Sequence, residues 1–139
     1  MPADAWTLHS QLRTDTINIG DLPLSQVLII KDSNYPWLLL VPRRVGVSDI
    51  TDLNEVEQGQ LMTEINRVAV AVKAITKPDK LNIAALGNLV PQLHIHVIGR
   101  RTSDAAWPRP VWGAVPPIGY DPVEMDGFKK ALRQRIWLD

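Results

Sequence analysis

Short apolar runs divided by turn residues recur along the first hundred residues of the chain. Runs of this length, bounded by Gly, Pro, Asn and Asp, are typical of strands and hairpins. The predicted strands are 16–19, 26–30, 37–41, 81–86 and 93–98. We therefore expect an antiparallel sheet of about five strands.

Helical periodicity replaces this pattern in the middle of the chain. Apolar residues recur at steps of three to five between Leu53 and Ile75. Asp52 with Glu55 makes an acidic start that resembles a capping box, and Lys77-Pro78 supplies the stop. One long helix is predicted over about 52–76.

Two shorter helices are predicted near the ends of the chain. Residues 4–13 place Leu8 and Leu12 on one side of an amphipathic helix. Asp121-Pro122-Val123-Glu124 supplies an N-cap, a proline at the first helical position and an acid at the third, which predicts a helix to about Trp137.

A segment rich in proline precedes the last helix. Five of the eleven prolines fall between 108 and 122, close to Trp107 and Trp112. Proline at this density excludes the interior of a helix or strand and predicts an extended arm. The chain is interpreted as a single α+β domain, 1–139. Its core is about 16–112, preceded by helix 4–13 and followed by the arm and last helix, 107–138.

Composition narrows the class of protein. The 139 residues are 45% hydrophobic and 22% charged, which fits one globular domain with its own core. Lys plus Arg and Asp plus Glu number 15 each, which argues against nucleic acid or a membrane surface as partner. Without cysteine there is no disulfide, thiolate-bound zinc or thiol nucleophile. No secretion signal or bilayer-length apolar run is visible, so a cytoplasmic protein without a cofactor is expected.

The strand predicted at 93–98 carries the strongest chemical signal. Polar and apolar residues alternate there, so Gln92, His94 and His96 share one face of the strand while the apolar residues face the core. Three interpretations are open. The face is solvated and its histidines incidental, or two imidazoles bind a metal ion, or an imidazole acts as a nucleophile on phosphorus. The metal site lacks an obvious third ligand.

The segment Gln92-Leu93-His94-Ile95-His96-Val97-Ile98 resembles the histidine triad (HIT) motif, in which histidines alternate with hydrophobic residues. Gln92 stands where the family has its first histidine. The resemblance extends over about 16–112. Trp37-Leu38-Leu39-Leu40-Val41-Pro42-Arg43-Arg44 is similar to the family's second hairpin strand, and Trp107-Pro108 lies where some members have Trp-Pro. A HIT-like fold is therefore implied.

The resemblance implies a hydrolase or transferase acting at a nucleotide α-phosphate. His94 occupies the position of the nucleophile that forms a nucleotidyl-histidine intermediate, and His96 that of the residue that hydrogen-bonds the phosphate oxygens. A motif carbonyl holds the tautomer of the nucleophile, and Gln92 can supply that carbonyl, but its amide cannot titrate. If the missing imidazole limits the reaction, a Gln92→His variant turns over faster. The alternative is a module that binds a nucleotide or protein with little or no turnover.

Three more positions match substrate contacts of the family. Asn88 keeps an amide that contacts the phosphate and leaving group, although Leu89 lacks the hydroxyl that usually follows it. Asn82 corresponds to an upstream polar contact, and Asp32 to the ribose contact after the first hairpin strand. Turn chemistry beside Gly87 is the competing interpretation of Asn82 and Asn88.

A homodimer is also expected. HIT proteins commonly pair into one continuous sheet, and the apolar helix face at 53–75 is longer than five short strands need. The arm at 108–122 is hard to bury within one small monomer, which favours the same assembly.

Overall fold

Five strands form one antiparallel sheet in the computed structural model, which describes residues 5–138. The strands are β1 (Thr16–Asp21), β2 (Ser25–Ile30), β3 (Trp37–Pro42), β4 (Lys80–Ala84) and β5 (Ile95–Arg100), and the helices are α1 (Ser10–Asp15), α2 (Glu55–Thr76) and α3 (Pro122–Arg133), the last continued by a π-helical turn, Gln134–Leu138. The strand order is β1-β2-β3-β5-β4. The predicted α+β fold is confirmed.

The long helix α2 covers one face of the sheet. Its buried apolar residues, among them Leu61, Val68 and Val72, join inward-facing sheet residues such as Leu40 and Val97 in the main core. The helical spacing of these residues puts them on one stripe, and burial of that stripe is what holds a helix of this kind to a sheet. The prediction of one long helix is confirmed.

The start of α2 lies at Glu55 rather than near residue 52. Asn54 is the N-cap, because its side chain accepts from the backbone N–H of Glu57 (2.8 Å) while the Glu57 carboxylate accepts from the backbone N–H of Asn54 (2.9 Å). Asp52 ends a short 3-10 turn, Ile50–Asp52, where its carboxylate accepts from the N–H groups of Ser48 and Asp49. Two capping boxes follow each other, Asp49 with Asp52 and Asn54 with Glu57, and only the second begins α2.

The N-terminal helix predicted at 4–13 is wrong in its position. Residue 4 lies outside the described residues, 5–9 are not helical, and α1 begins at Ser10. The Nδ1 atom of His9 accepts from the N–H of Gln11 (3.0 Å), so His9 caps the helix and ends the extended segment before it. The backbone of that segment is bonded to a side chain of the distant Gln92, which a local pattern cannot reveal.

The two strands at the motif are shorter than predicted on their facing sides. β4 ends at Ala84 instead of residue 86, and β5 begins at Ile95 instead of residue 93. Gly87 turns the chain with φ +70, a left-handed value that favours glycine. The N–H of Leu93 donates to Val47 (3.0 Å) rather than to a strand partner. A loop at 85–94 therefore leads into β5.

The face of the sheet opposite α2 is also covered. Trp37, Leu39 and Ile98 of the sheet pack under Ala106 and Val111 of the arm, and the residues packed beside this second cluster include Trp6, Leu8, Trp112, Ala114 and Val115. Between 101 and 121 the arm forms neither helix nor strand. Because the arm packs on its own chain, the difficulty of burying it is not an argument for a dimer.

A buried ion pair ties the arm to β5. The Arg100 guanidinium donates two hydrogen bonds to the Asp104 carboxylate (2.8 and 3.0 Å) and one to Asn82 (2.8 Å). It also lies over the rings of Tyr35 (5.7 Å) and Trp107 (5.6 Å). The buried charge of Arg100 is tolerated because each of the three guanidinium nitrogens donates a hydrogen bond.

The same pair predicts how stability depends on pH. Burial opposes the ionised form of Asp104, but hydrogen bonds from Arg100 and from backbone N–H groups outweigh it and lower its pKa to about 2, from 3.8. The ionised carboxylate therefore stabilises the fold fully above about pH 4, and this contribution, about 2 kcal/mol, is lost as the pH falls through about 2.

We expect Asp104→Asn to lower the free energy of unfolding by about 3 kcal/mol at pH 7, because it leaves a buried guanidinium without its counter-charge. The difference in free energy of unfolding between the wild type and this variant becomes smaller as the pH falls from about 4 to about 2. Urea denaturation across this range measures both. Asp126→Asn, which removes an exposed pair with Lys130, serves as control and costs less than about 1 kcal/mol. A gap that does not change with pH contradicts the assignment.

Candidate active site

His94 sits at the entrance of β5 with one ring nitrogen fixed. Its Nδ1 lies 2.7 Å from the backbone carbonyl oxygen of Gln92. A carbonyl oxygen only accepts, so Nδ1 carries the proton and donates. In the neutral ring, Nε2 is then left with a free electron pair, which is the form required of a nucleophile.

His96 is fixed in the opposite sense. The indole N–H of Trp37 donates to Nδ1 of His96 (3.0 Å), and an indole nitrogen cannot accept. Nδ1 of His96 is therefore unprotonated and the proton of the neutral ring is on Nε2. Burial, together with the nearby His94, lowers the pKa of His96 to about 3. At neutral pH His96 is an uncharged hydrogen-bond donor.

Aromatic rings pack around His96. The His94 and His96 rings meet edge to face with centroids 5.0 Å apart, and the Trp112 ring also meets the His96 ring edge to face at 5.0 Å. Only 7% of His94 and 5% of His96 is exposed. The interpretation of the strand face that carries His94 and His96 as solvated is wrong, because the arm and the N-terminal segment cover this face.

His94 lines a cleft of about 280 Å³. One wall is the segment that follows β3, the other is the loop after β4, and the residues are Ser48, Asp49, Ile50, Thr51, Ala85, Leu86, Gly87, Leu93 and His94. This volume is just below the range of about 300–1,000 Å³ that is typical of ligand sites. The cleft is an approach by which a reacting group can meet the ring of His94.

The side chain of Gln92 makes its hydrogen bonds away from His94 and His96. Its Nε2 donates to the carbonyl oxygen of Thr7 (2.9 Å) and its Oε1 accepts from the N–H of His9 (2.8 Å). Both ends of the amide are therefore bonded to the N-terminal segment. What Gln92 presents to His94 is its backbone carbonyl.

The proposed substrate contacts are divided by the fold. Asn82 lies within β4, so it is not a turn residue, and its amide oxygen accepts a hydrogen bond from Arg100. Asn88 is exposed in the bend after Gly87, beside the cleft wall.

Asp32 is buried in the turn after β2. Its Oδ1 accepts from the backbone and side chain of Asn34 (3.0 and 2.8 Å) and from the N–H of Ile118 in the arm (3.3 Å). The register pairs Trp37 with Ile98 and Leu40 with Ile95, so Asp32 lies toward one end of β3 and His94 toward the other. The fold brings Gln92, His94 and His96 together, whereas Asp32 is bonded to the arm and Asn82 to Arg100 of β5.

Sequence reasoning missed Trp37, which it assigned only to a strand. The bond to His96 depends on the register of β3 against β5, and no local signal in the sequence reports that register. Among residues 5–138, no group of three or more His, Cys, Asp or Glu is placed to hold a metal ion. In the same part of the chain, no helix combines the length and apolarity needed to cross a membrane.

A Trp37→Phe substitution tests the fixed tautomer of His96. It keeps an aromatic ring in place but removes the donor that binds only the unprotonated Nδ1. We expect the pKa of His96 to rise from about 3 by up to about one unit, the equivalent of one neutral hydrogen bond. NMR titration of the imidazole measures it. Trp112→Phe, which keeps the Trp37 bond, is the control. An equal response to both substitutions contradicts the assigned hydrogen bond.

Comparison with known proteins identifies the fold family. The structure resembles a histidine triad protein of Bradyrhizobium japonicum, with 68% identity, a TM-score of 0.95, and coverage of 96% of this chain and 99% of that one. A histidine triad protein of Sinorhizobium meliloti is 40% identical with a TM-score of 0.91, over 94% and 96% of the two chains.

A curated relative in Mycobacterium tuberculosis, named AP-4-A phosphorylase, is 32% identical over 81 residues. That match takes in 51% of this chain but only 41% of the relative. The family model described as the HIT domain matches residues 11–103. Together with the seating of His94 and His96 at β5, this match shows that the chain belongs to the HIT family.

Proposed function

We propose that the protein is a nucleotide hydrolase or nucleotidyl transferase that acts at an α-phosphate through a covalent intermediate on His94. The observation that supports it most is the bond from Nδ1 of His94 to the Gln92 carbonyl, which leaves the electron pair on Nε2 of a residue that lines a cleft. The name of the Mycobacterium tuberculosis relative, AP-4-A phosphorylase, supports a nucleotide phosphate as the substrate class.

The reaction has two displacements at phosphorus. The Nε2 electron pair of His94 forms a bond to the α-phosphorus, and the bond to the leaving group breaks with its electron pair. The ring is then positively charged, and the Gln92 carbonyl stabilises it through the Nδ1 proton. Water or another acceptor then attacks the phosphorus, gives up its proton to solvent, and the electron pair of the P–N bond returns to Nε2.

His96 supplies the donor for the phosphoryl oxygens. Its Nε2 proton is available because Nδ1 is occupied by the Trp37 N–H. A neutral donor buried among aromatic rings needs little reorganisation as negative charge develops on oxygen. Of the predicted substrate contacts, the exposed Asn88 is the one we retain for the phosphate or leaving group, since Asn82 and Asp32 are bonded within the fold.

A nucleotide-binding or protein-interaction module with little turnover is the second candidate. The favouring observation is that the Gln92 amide is bonded at both ends to the N-terminal segment. At this position the chain offers no titratable group to a leaving group, which slows any reaction that needs protonation there.

Removal of each motif histidine separates the two candidates. We expect His94→Ala to form no covalent adduct, because the nucleophile is gone. We expect His96→Ala to form the adduct about 10²-fold more slowly, the scale of losing one charge-stabilising donor. The measurement is transfer of label from an α-phosphate-labelled nucleotide, with the modified residue located by mass spectrometry. His9→Ala is the control, since His9 is the third histidine of the chain.

Label on His96 or His9 with His94 unmodified overturns the assignment of the nucleophile. Binding of the nucleotide without label on the wild type favours the module.

We further propose that the protein is a homodimer paired through β4. In the described part of the chain β4 is an outer strand bonded only to β5, so its other edge is open to a second copy. Ile83 on this strand is 48% exposed. An uncovered strand edge with an exposed apolar side chain favours pairing with a second strand.

The proposed edge is tested by placing a charge on it. We expect the wild type to sediment at micromolar concentration with twice its 15.5 kDa mass. Ile83→Lys is expected to shift it toward the monomer, because two like charges face each other across the symmetric contact. Val56→Lys on α2, where Val56 is 81% exposed, is the control. A single 15.5 kDa species in the wild type contradicts the proposal.

A further inference from the structure

The Gln92 side chain and the N-terminal segment form a two-point contact. In an extended segment, the carbonyl of one residue and the N–H of the second residue after it point to the same side. Thr7 and His9 present such a pair, and the Gln92 amide meets it with one donor and one acceptor, at 2.9 and 2.8 Å. The amide thus acts as a short piece of neighbouring strand.

A primary amide suits this contact better than the other polar side chains. Its N–H and its oxygen leave one planar group on the same side. A carboxylate only accepts and would repel the Thr7 carbonyl. The two nitrogens of an imidazole point in widely different directions, so a histidine at position 92 can keep one of the two bonds but not both.

The contact joins the N-terminal segment to the nucleophile. The N–H of the peptide between Gln92 and Leu93 donates to the Val47 carbonyl (3.0 Å), and the carbonyl oxygen of this peptide accepts a hydrogen bond from Nδ1–H of His94 (2.7 Å). The side-chain contact fixes the other end of Gln92. The orientation of the carbonyl, and with it that of the His94 ring, therefore depends on both anchors.

The segment held by Gln92 also covers the histidine face of the sheet. Trp6 and Leu8 pack on the cluster that contains Trp37, the hydrogen-bond partner of His96. Release of the segment would loosen this cover as well as the Gln92 anchor. The residue that replaces the first histidine of the motif is thus connected to both remaining histidines.

We propose that Gln92 is a positioning residue whose side chain fastens residues 7–9 to the motif and thereby holds the carbonyl that orients His94. This inference rests on the proposed function, in which His94 is the nucleophile. It predicts the opposite of the simple expectation for Gln92→His: restoring the imidazole of the family motif breaks the contact and slows adduct formation instead of speeding it.

The cleanest test removes the backbone donor without touching the motif. His9 has φ −53, which proline adopts, so His9→Pro deletes the N–H that binds Gln92 Oε1 with little backbone strain. His9→Ala keeps that N–H. Both variants lose the imidazole that caps α1. They differ at the contact with Gln92, where the proline removes the N–H and its Cδ pushes the Gln92 amide oxygen away.

Two readouts are measured on both His9 variants and on Gln92→Glu. Long-range proton–nitrogen NMR of the imidazoles reports which nitrogen of His94 carries the proton, and it requires no substrate. We expect a single Nδ1–H form in the wild type and His9→Ala, and a mixture of both tautomers in His9→Pro and Gln92→Glu. In His9→Pro and Gln92→Glu we also expect the rate of adduct formation to fall by roughly tenfold. This is within the 10²-fold loss that a misplacement of about 1 Å can cause.

The outcomes separate this inference from the proposed function. If the wild type forms no adduct but the tautomers respond as described, the positioning role stands and the proposed reaction fails. If His9→Pro and Gln92→Glu both keep the single His94 tautomer and the adduct rate of His9→Ala, the positioning role is overturned. Thermal unfolding of each variant, with matching transitions expected for the two His9 variants, confirms that folded proteins are compared.

Discussion

The hydrogen bond from Nδ1 of His94 to the carbonyl oxygen of Gln92 is the interaction on which the proposed chemistry of this protein depends. The acceptor is a backbone oxygen, so no side chain of the motif is needed for this bond. The bond determines which nitrogen of the ring is free. The neighbouring ring is set the other way by the Trp37 N–H. Two imidazoles 5.0 Å apart thus take opposite roles, one with a free electron pair and one with a free proton.

The opposite roles of the two imidazoles depend on the coverage of both faces of the sheet, by α2 on one side and by the arm and the N-terminal segment on the other. The α2 side buries Leu93, Ile95 and Val97, which leaves the alternate residues of the same stretch for the other face. That face would be open in a simple two-layer fold, but the arm and the segment before α1 close it. Burial then keeps His96 uncharged, with its pKa near 3, while a cleft reaches His94.

Much of the fold followed from periodicity in the sequence. The five strands, the long helix and the alternation at Gln92–Ile98 were all predictable, because each depends on residues near one another in the chain. The start of α1 was not, since the backbone of Thr7 and His9, just before the helix, is bonded to Gln92, more than eighty residues away. Likewise the pairing of Trp37 with His96 depends on strand register, and the burial of Asp32 on the path of the arm. The motif indicated the candidate site and contains the partner of His94, the Gln92 carbonyl, whereas Trp37, the partner of His96, comes from a distant part of the chain.

Neutron diffraction from deuterated crystals, grown at a pH of about 8.5 where imidazoles are ordinarily neutral, tests the central claim most directly. The opposed tautomers predict a deuteron on Nδ1 and none on Nε2 of His94, and the reverse on His96. A deuteron on Nδ1 of His96, or its absence from Nδ1 of His94, would contradict the account.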